Sequence, residues 1–238
     1  MKANVLKFVA SMSLLLVTAV GVTLGATSAS AAPSSISGGN SLSSGTLDSW
    51  SNFVIVDGTN PVNADGLLTS WSYFAQYSTS NPNNAAGKVE LVIVKPGATF
   101  SGGATVVYVS DPSSPFSSSQ TSGVVNLSIP GGVWVQAGDE VGLYFIGAAV
   151  VPFNGFYGKN DSGVTFFTAP NLQAPTAGST LTFDQGYWPT GRMYSVAVSG
   201  ITGAGCKDGG YKGLFLNQGA CVSAFATQGL TPIGAPSK

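Results

Sequence analysis

A loop after the first strand-like run concentrates oxygen-bearing side chains. Asp57, Asn60, Asn63 and Asp65 stand within nine residues of one another, and glycines beside them allow tight turns. Because calcium takes roughly six to eight oxygen ligands and extracellular sites are often weak, one interpretation is a weak calcium site. The spacing does not fit an EF-hand loop. The alternative is a loop whose Asx side chains hydrogen-bond to their own backbone.

A second set of candidate residues is aromatic. Extracellular sugar-binding sandwiches use exposed rings as stacking platforms, and the candidates for ligand binding here are Trp50, Trp71, Tyr73, Tyr187 and Trp188. Trp188 stands in a Gly-Tyr-Trp-Pro-Thr-Gly segment, where we expect the most exposed ring. The alternative is packing in the core or at its rim, because a buried tryptophan is ordinary in a β-sandwich.

A pair of carboxylates is the third candidate, because two of them at the right separation can hydrolyse a glycosidic bond. The acids to consider are Asp57, Asp65, Glu90, Asp111, Asp139, Glu140, Asp161 and Asp184. No spacing marks a pair among them. Asp139 and Glu140 are adjacent, and adjacent residues on a strand point to opposite faces, so we do not expect them to act together on one substrate.

The chain contains no histidine. This excludes the Ser-His-Asp and Cys-His arrangements of nucleophilic catalysis and the histidine-ligated zinc and copper sites. With few acids and no marked carboxylate pair, the sequence favours a non-catalytic protein. No cofactor is expected other than calcium at the weak site described above.

The elements that position these residues are short strands. From Leu47 to Gly200, apolar and polar residues alternate in short runs separated by turn dipeptides such as Asp-Gly, Asn-Pro and Gly-Gly. Alternation of this kind indicates strands with one buried face, and about nine such runs predict an antiparallel β-sandwich, jelly-roll-like in topology. The runs are 52–57, 67–77, 88–95, 104–110, 124–129, 140–146, 164–168, 181–184 and 192–199.

The first 31 residues have the three parts of a secretory signal peptide. Lys2 and Lys7 form a basic start, an apolar run follows from Phe8 to Gly25, and Ala29-Ser30-Ala31 matches a small-x-small cleavage site. An uncleaved membrane anchor is the alternative, but no basic stop-transfer cluster follows. No later run is long enough to span a bilayer. We therefore expect a secreted protein with no membrane partner after cleavage.

Composition limits the partners of the exported chain. All ten acids and seven of the nine bases lie after residue 31, so the net charge there is 7 − 10 = −3. This argues against nucleic acid, which requires a basic footprint. Residues 32–46 are polar and small, and we predict a flexible leader there, followed by a β-sandwich domain over 47–200.

The pattern changes after Ser199. A Gly-rich hinge is predicted from residue 201, followed by a Cys206–Cys221 segment. This segment resembles a short C-terminal tail of many secreted, especially actinobacterial, proteins, which carries no assigned chemistry. The tail differs from that pattern at Tyr211, where tryptophan is usual, and matches it at Cys206, Lys207, Gly209, Gly210, Phe215, Asn217, Gln218, Gly219, Cys221, Val222 and Phe225.

We expect Cys206 and Cys221 to form a disulfide, because an exported chain with two cysteines most simply pairs them. The bridge closes a loop of about 15 residues and is worth roughly 3 kcal/mol in the chain-entropy model. A tail this short cannot fold without such a staple. The rival is a metal site, for which two thiols without a third ligand are poor.

Three functions remain. The first is a secreted, non-catalytic sandwich that binds an extracellular polysaccharide, the cell wall or a protein surface. The second is a structural or surface-assembly protein. The third, which the sequence favours least, is a carboxylate-dependent glycan hydrolase.

Overall fold

The computed structural model describes residues 34–77, 86–99, 102–115, 122–155, 165–169, 172–183 and 192–227. The predicted signal peptide lies outside these ranges. Within them the chain forms antiparallel strands and one short helix. These elements are β1 (Ser35–Gly39), β2 (Ser51–Asp57), β3 (Gly66–Ala75), β4 (Lys88–Val94), β5 (Ala104–Val109), β6 (Gly123–Val135), β7 (Glu140–Ala148), β8 (Phe153–Asn154), β9 (Thr165–Phe167), β10 (Thr180–Leu181), β11 (Met193–Tyr194), β12 (Val196–Ile201) and α1 (Gln218–Thr227).

The two large sheets form a jelly-roll sandwich. One has four strands in the order β1-β12-β3-β6, and the other has six in the order β10-β5-β4-β7-β2-β9. Of the eight principal strands, β1, β3, β6 and β12 belong to the first sheet and β2, β4, β5 and β7 to the second. Every recorded pairing is antiparallel. The predicted fold class is confirmed.

The core lies between the sheets and follows the predicted alternation. In β3, Trp71, Tyr73 and Ala75 point inward and are buried, whereas the residues between them are half-buried. Phe53 of β2 stacks on Phe145 of β7 with ring centroids 4.7 Å apart. Burying one aromatic ring contributes about 1.5–3 kcal/mol, so rings of this size dominate the stability of the sandwich.

A second apolar cluster covers the outer face of the six-stranded sheet. Val54, Val92 and Tyr144 point away from the main core and pack under Phe166 and Leu181. This explains why β4 reads as a nearly continuous apolar run (KVELVIV) rather than an alternating one, since both of its faces are buried. Among the described residues, no comparable apolar cluster covers the outer face of the four-stranded sheet, where Ser37, Asn126, Ser128 and Ser199 are exposed.

The predicted flexible leader over 32–46 is wrong for its central part. Ser35–Gly39 forms the edge strand β1, in register with β12 from Ser35 opposite Ile201 to Gly39 opposite Ala197. Ile36 exposes 1% of its surface and lies in the main core. A single apolar residue among serines and glycines is too weak a pattern to reveal a strand of five residues.

The C-terminal segment is stapled as predicted, by a Cys206–Cys221 disulfide whose two residues are fully buried. The helix α1 follows Asn217, whose Oδ1 accepts a hydrogen bond from the Ala220 N–H at 2.8 Å as an N-cap. The predicted hinge is instead tightly packed. A Cβ at Gly200 would lie 2.1 Å from the Leu67 carbonyl oxygen, and one at Gly205 2.1 Å from that of Ser34.

Candidate binding face on the four-stranded sheet

The outer face of the four-stranded sheet carries an aligned row of hydroxyls. The register places Ser37 of β1 opposite Ser199 of β12, Ser199 opposite Ser70 of β3, and Ser70 opposite Ser128 of β6. Neighbouring strands lie about 4.8 Å apart, so the row extends roughly 14 Å across the sheet. Each serine belongs to a strand whose alternate residues enter the core, which fixes its outward direction.

A second row runs beside the first, about 6.7 Å along the strands. It contains Ser72 of β3 and Asn126 of β6, whose side chains are joined by a hydrogen bond of 2.7 Å. Ser70 and Ser199 are joined in the same way, with 2.8 Å between their hydroxyl oxygens. We call this surface the serine face and define it by Ser37, Ser70, Ser72, Asn126, Ser128 and Ser199.

The disulfide-stapled tail bounds the serine face at one end. Here the outer row of the sheet is apolar, with Ile201, Leu67 and Trp134 in register. Phe225 of α1 packs edge-on against Trp134 with ring centroids 4.7 Å apart, and Leu67 is buried. The tail therefore covers the apolar row at this end of the outer face, next to the serine face.

The chemistry of the serine face is that of a neutral hydrogen-bonding surface. Its hydroxyls both donate and accept, its amide does the same, and none of its six side chains is charged. A serine becomes a nucleophile through an adjacent base, and no base belongs to this face. The arrangement is suited to recognise hydroxyl-bearing or amide-bearing surfaces.

The side chains of the Asp57–Asp65 loop, for which the sequence predicts a calcium site, hydrogen-bond to protein groups. Asn63 Oδ1 accepts a hydrogen bond from the Ser37 N–H at 2.9 Å, and Asn60 donates to Asn40 Oδ1 at 2.7 Å. Asp65 accepts from the Ala137 N–H at 2.7 Å. Asp57 accepts from Asn40 Nδ2 at 2.6 Å and from the Thr59 N–H at 2.9 Å, the latter as an Asx turn.

Asp57 and Asn60 both bond to the Asn40 side chain, whereas Asn63 and Asp65 bond to backbone N–H groups of two other segments. Each of the four side chains is therefore held by protein groups, and the calcium site stays a prediction. Among the described residues, no three acidic or cysteine side chains form a group that could hold a metal ion. What the loop does is tie β1 to its neighbours.

Two of the five predicted ligand-binding rings are core residues, which corrects the prediction for them. Trp71 exposes 2% of its surface and Tyr73 3%, and the two rings stack with centroids 5.3 Å apart. Neither can present a face to a ligand. Trp50 is half-buried and packs edge-on against Phe53 and Phe167, while Tyr187 and Trp188 lie outside the described residues.

The carboxylates proposed for catalysis are distributed over separate contacts. Asp139 Oδ2 accepts from the Gln136 N–H at 2.9 Å, whereas Glu140 Oε1 accepts from the Gly97 N–H at 3.2 Å. The two adjacent acids thus serve different loops, since Asp139 lies in the turn before β7 and Glu140 is the first residue of that strand. Glu90 is buried within β4, and Asp161 and Asp184 lie outside the described ranges.

Burial raises the pKa of several of these acids. It does so for Asp57 and Asp139 and for Glu140, because a charged carboxylate is disfavoured away from water. In each case hydrogen bonds to the carboxylate oppose the shift without cancelling it. Asp139 Oδ1 and Glu140 Oε2 are buried without a hydrogen-bond partner in the described structure.

These pKa shifts predict a protein that gains stability on mild acidification. A raised carboxyl pKa contributes stability that is complete below the unfolded pKa, 3.8 for Asp and 4.5 for Glu, and that is lost as the pH rises through the folded pKa. The free energy of unfolding should therefore increase as the pH falls through the raised pKa values of the folded protein toward those of the unfolded chain. Denaturant titrations at several pH values measure this free energy of unfolding. Asp139→Asn combined with Glu140→Gln should make it depend less on pH. A free energy that falls on acidification would contradict this assignment.

Sequence reasoning missed one buried polar cluster. Asp48 pairs with Arg192 and accepts a hydrogen bond from the Tyr194 hydroxyl. The Arg192 guanidinium lies over the Phe153 ring at 4.3 Å and the Phe167 ring at 5.2 Å. Burial raises the pKa of Asp48, against the effects of Tyr194 and Arg192. Because 144 residues separate Asp48 from Arg192, no local pattern indicates the contact.

Sequence reasoning also missed the serine face as a unit. The alternation within each strand shows which residues point outward, but the alignment of the four serines depends on the register between strands. No short motif encodes that register.

The fold and this surface together define an all-β jelly-roll sandwich whose four-stranded sheet carries the uncharged serine face. Comparisons with protein-family models, with curated proteins and with solved structures find no match to this chain. In the part of the chain that the structure describes, no helix is long and apolar enough to cross a membrane.

Proposed function

We propose that this protein is a secreted, non-catalytic β-sandwich that binds an extracellular polysaccharide or cell-wall glycan through its serine face. The observation that carries the proposal is the aligned Ser37–Ser199–Ser70–Ser128 row on the outer face that stays open. The outer face of the other sheet is covered by apolar packing. A flat set of neutral donors and acceptors suits a polymer whose own surface is rich in hydroxyls and amides.

Export is supported by the three-part pattern of residues 1–31 and by the buried disulfide, since disulfides persist in oxidising compartments. A non-catalytic role is supported by the absence of histidine from the sequence. It is supported further by the separate hydrogen bonds that hold Asp57, Asp139 and Glu140.

The test is retention of the exported protein on insoluble polysaccharides and on purified cell wall, with calcium and with chelator. Ser70→Glu places a charge at the centre of the face, and Thr105→Glu places the same charge at an exposed position of β5. Losing two neutral hydrogen bonds costs about 1–3 kcal/mol, so Ser70→Glu should weaken binding roughly tenfold or more. Thr105→Glu should bind like the parent protein.

Three outcomes decide the matter. Retention on one polymer that Ser70→Glu abolishes supports the proposal. Retention that both variants share moves the site away from the serine face, and no retention on any polymer overturns glycan binding. Loss with chelator would return the Asp57–Asp65 loop to consideration, against the hydrogen bonds described above.

A further inference from the structure

The four-stranded sheet ends in two edges of different character. At the β1 edge, the Gly39 N–H donates to the Asn60 carbonyl oxygen at 2.8 Å, and the Asn63 N–H donates to the Ser37 carbonyl oxygen at 3.0 Å. Asn63 Oδ1 accepts the Ser37 N–H in return. The loop that carries Asn60 and Asn63 therefore occupies this edge and prevents another strand from pairing there.

At the β6 edge, no loop of the described residues hydrogen-bonds to the backbone from Gly123 to Ile129. Among the described strands β6 pairs with β3 alone, so its alternate N–H and C=O groups point away from the sheet. Residues 122–135 contain no charged side chain. Lysine, the usual means of protecting a strand edge, is thus absent from β6.

The hydrophobic core is incompletely buried next to β6. Tyr73 and Trp71 of β3 are buried, yet their partners across the ladder, Val125 and Leu127 of β6, are only half-buried although they point into the core. On the outer face, Val124 exposes 49% of its surface. Apolar side chains at a free, uncharged strand edge are the signature of a strand that pairs with another.

Pro130 limits the length that can pair. Proline has no N–H, and the pairing with β3 becomes irregular between Leu68 and Ser70, opposite this part of β6. The usable edge is Gly123–Ile129, seven residues centred on Asn126. A segment that is uncharged throughout is compatible with itself in the antiparallel direction, because no like charges meet.

We propose that two copies of this chain pair through their β6 strands, antiparallel and about a two-fold axis at Asn126. The pairing joins the two four-stranded sheets into one of eight strands and places Val124 opposite Ser128 of the second copy. It closes as a dimer because the remaining edge, β1, is occupied, and the edges of the six-stranded sheet are the two-residue β10 and the three-residue β9.

The dimer has a consequence for the serine faces. Antiparallel pairing about a two-fold axis requires the axis to stand perpendicular to the sheet, so the same face of both copies points the same way. The two serine faces then form one continuous surface of doubled width. The dimer itself depends only on the β6 edge and does not require that the face bind a glycan.

The mass of the exported protein tests the proposal, measured by light scattering during gel filtration. We expect twice the mass of a single chain for the parent protein. Asn126→Lys should give single chains, because the two-fold axis brings the two lysines together. Ser199→Lys adds the same charge to the same face, two strands away from the edge, and should remain a dimer. Circular dichroism establishes that both variants are folded.

A second measurement does not depend on a disruptive variant. Asn126→Cys should form a covalent dimer on mild oxidation, because residues opposite one another in an antiparallel pair have Cβ atoms about 4.5–5.5 Å apart. Ser199→Cys should not. A monomeric parent protein, a dimer that survives Asn126→Lys, or an assembly larger than two chains would each overturn the proposal. A monomeric parent protein that still binds polysaccharide would overturn the dimer and leave the proposed function intact. A dimer that binds no polysaccharide would support the β6 pairing and overturn the proposed function.

Discussion

Replacing Trp71 by alanine should destabilise the protein by about 3–5 kcal/mol, because the substitution leaves a cavity of indole size in a closed core. Trp71 exposes 2% of its surface and stacks on Tyr73 within the main core. Single domains have a total stability of about 5–15 kcal/mol, so this loss removes a large fraction of it. Denaturant unfolding followed by the fluorescence of the remaining tryptophans measures the change.

The same substitution separates a packing role from a binding role. Trp71→Phe retains an aromatic ring and should lose less stability than Trp71→Ala, without an effect on polysaccharide retention. A Trp71→Ala protein that keeps its free energy of unfolding but no longer binds polymer would restore Trp71 as a ligand-binding residue, against its burial.

Replacing Asp48 by alanine should cost about 3 kcal/mol at neutral pH, because it leaves the Arg192 guanidinium and the Tyr194 hydroxyl without their shared acceptor. Tyr194 is fully buried, and Asp48 exposes 8% of its surface. The contact joins the segment before β2 to β11, so its loss should also loosen the short β8–β11 ladder. Denaturant unfolding gives the free energy, and hydrogen exchange of the β11 amides reports the local effect.

Asp65→Ala is the matched control. Asp65 accepts one hydrogen bond in an exposed setting, from the Ala137 N–H, and an exposed hydrogen bond contributes about 0.5–1.5 kcal/mol at most. If the two alanine variants unfold at the same denaturant concentration, Asp48 is not the buried acceptor that its contacts indicate.

Period-two alternation made most of the principal strands, β1 apart, and their inward faces predictable. Trp71, Tyr73 and Ala75 follow that rule in β3, as do Val196 and Val198 in β12. The disulfide was predictable for a different reason, since the chain has only two cysteines and a signal peptide pattern. Local order and local composition were sufficient for both.

The helix α1 and the strand β1 were not predictable in this way. Only Cys221 of α1 is buried, so the helix has no apolar stripe of period 3.6 that could be read from its sequence. In β1 a single buried residue, Ile36, contributes the whole apolar signal. Both elements exist because neighbours cover them, β12 in one case and the disulfide with Trp134 in the other.

The sequence of this chain determined most of the longer strands, the all-β class, the cysteine pair and the absence of histidine-dependent chemistry. The tertiary structure alone decided which aromatic rings are buried, which outer face stays open, and that Ser37, Ser199, Ser70 and Ser128 fall into one row. The physical reason is that alternation fixes a side chain's direction within its own strand, whereas register, sheet packing and covering loops depend on residues far apart in the chain. Asp48 and Arg192, 144 residues apart in the chain, meet for the same reason.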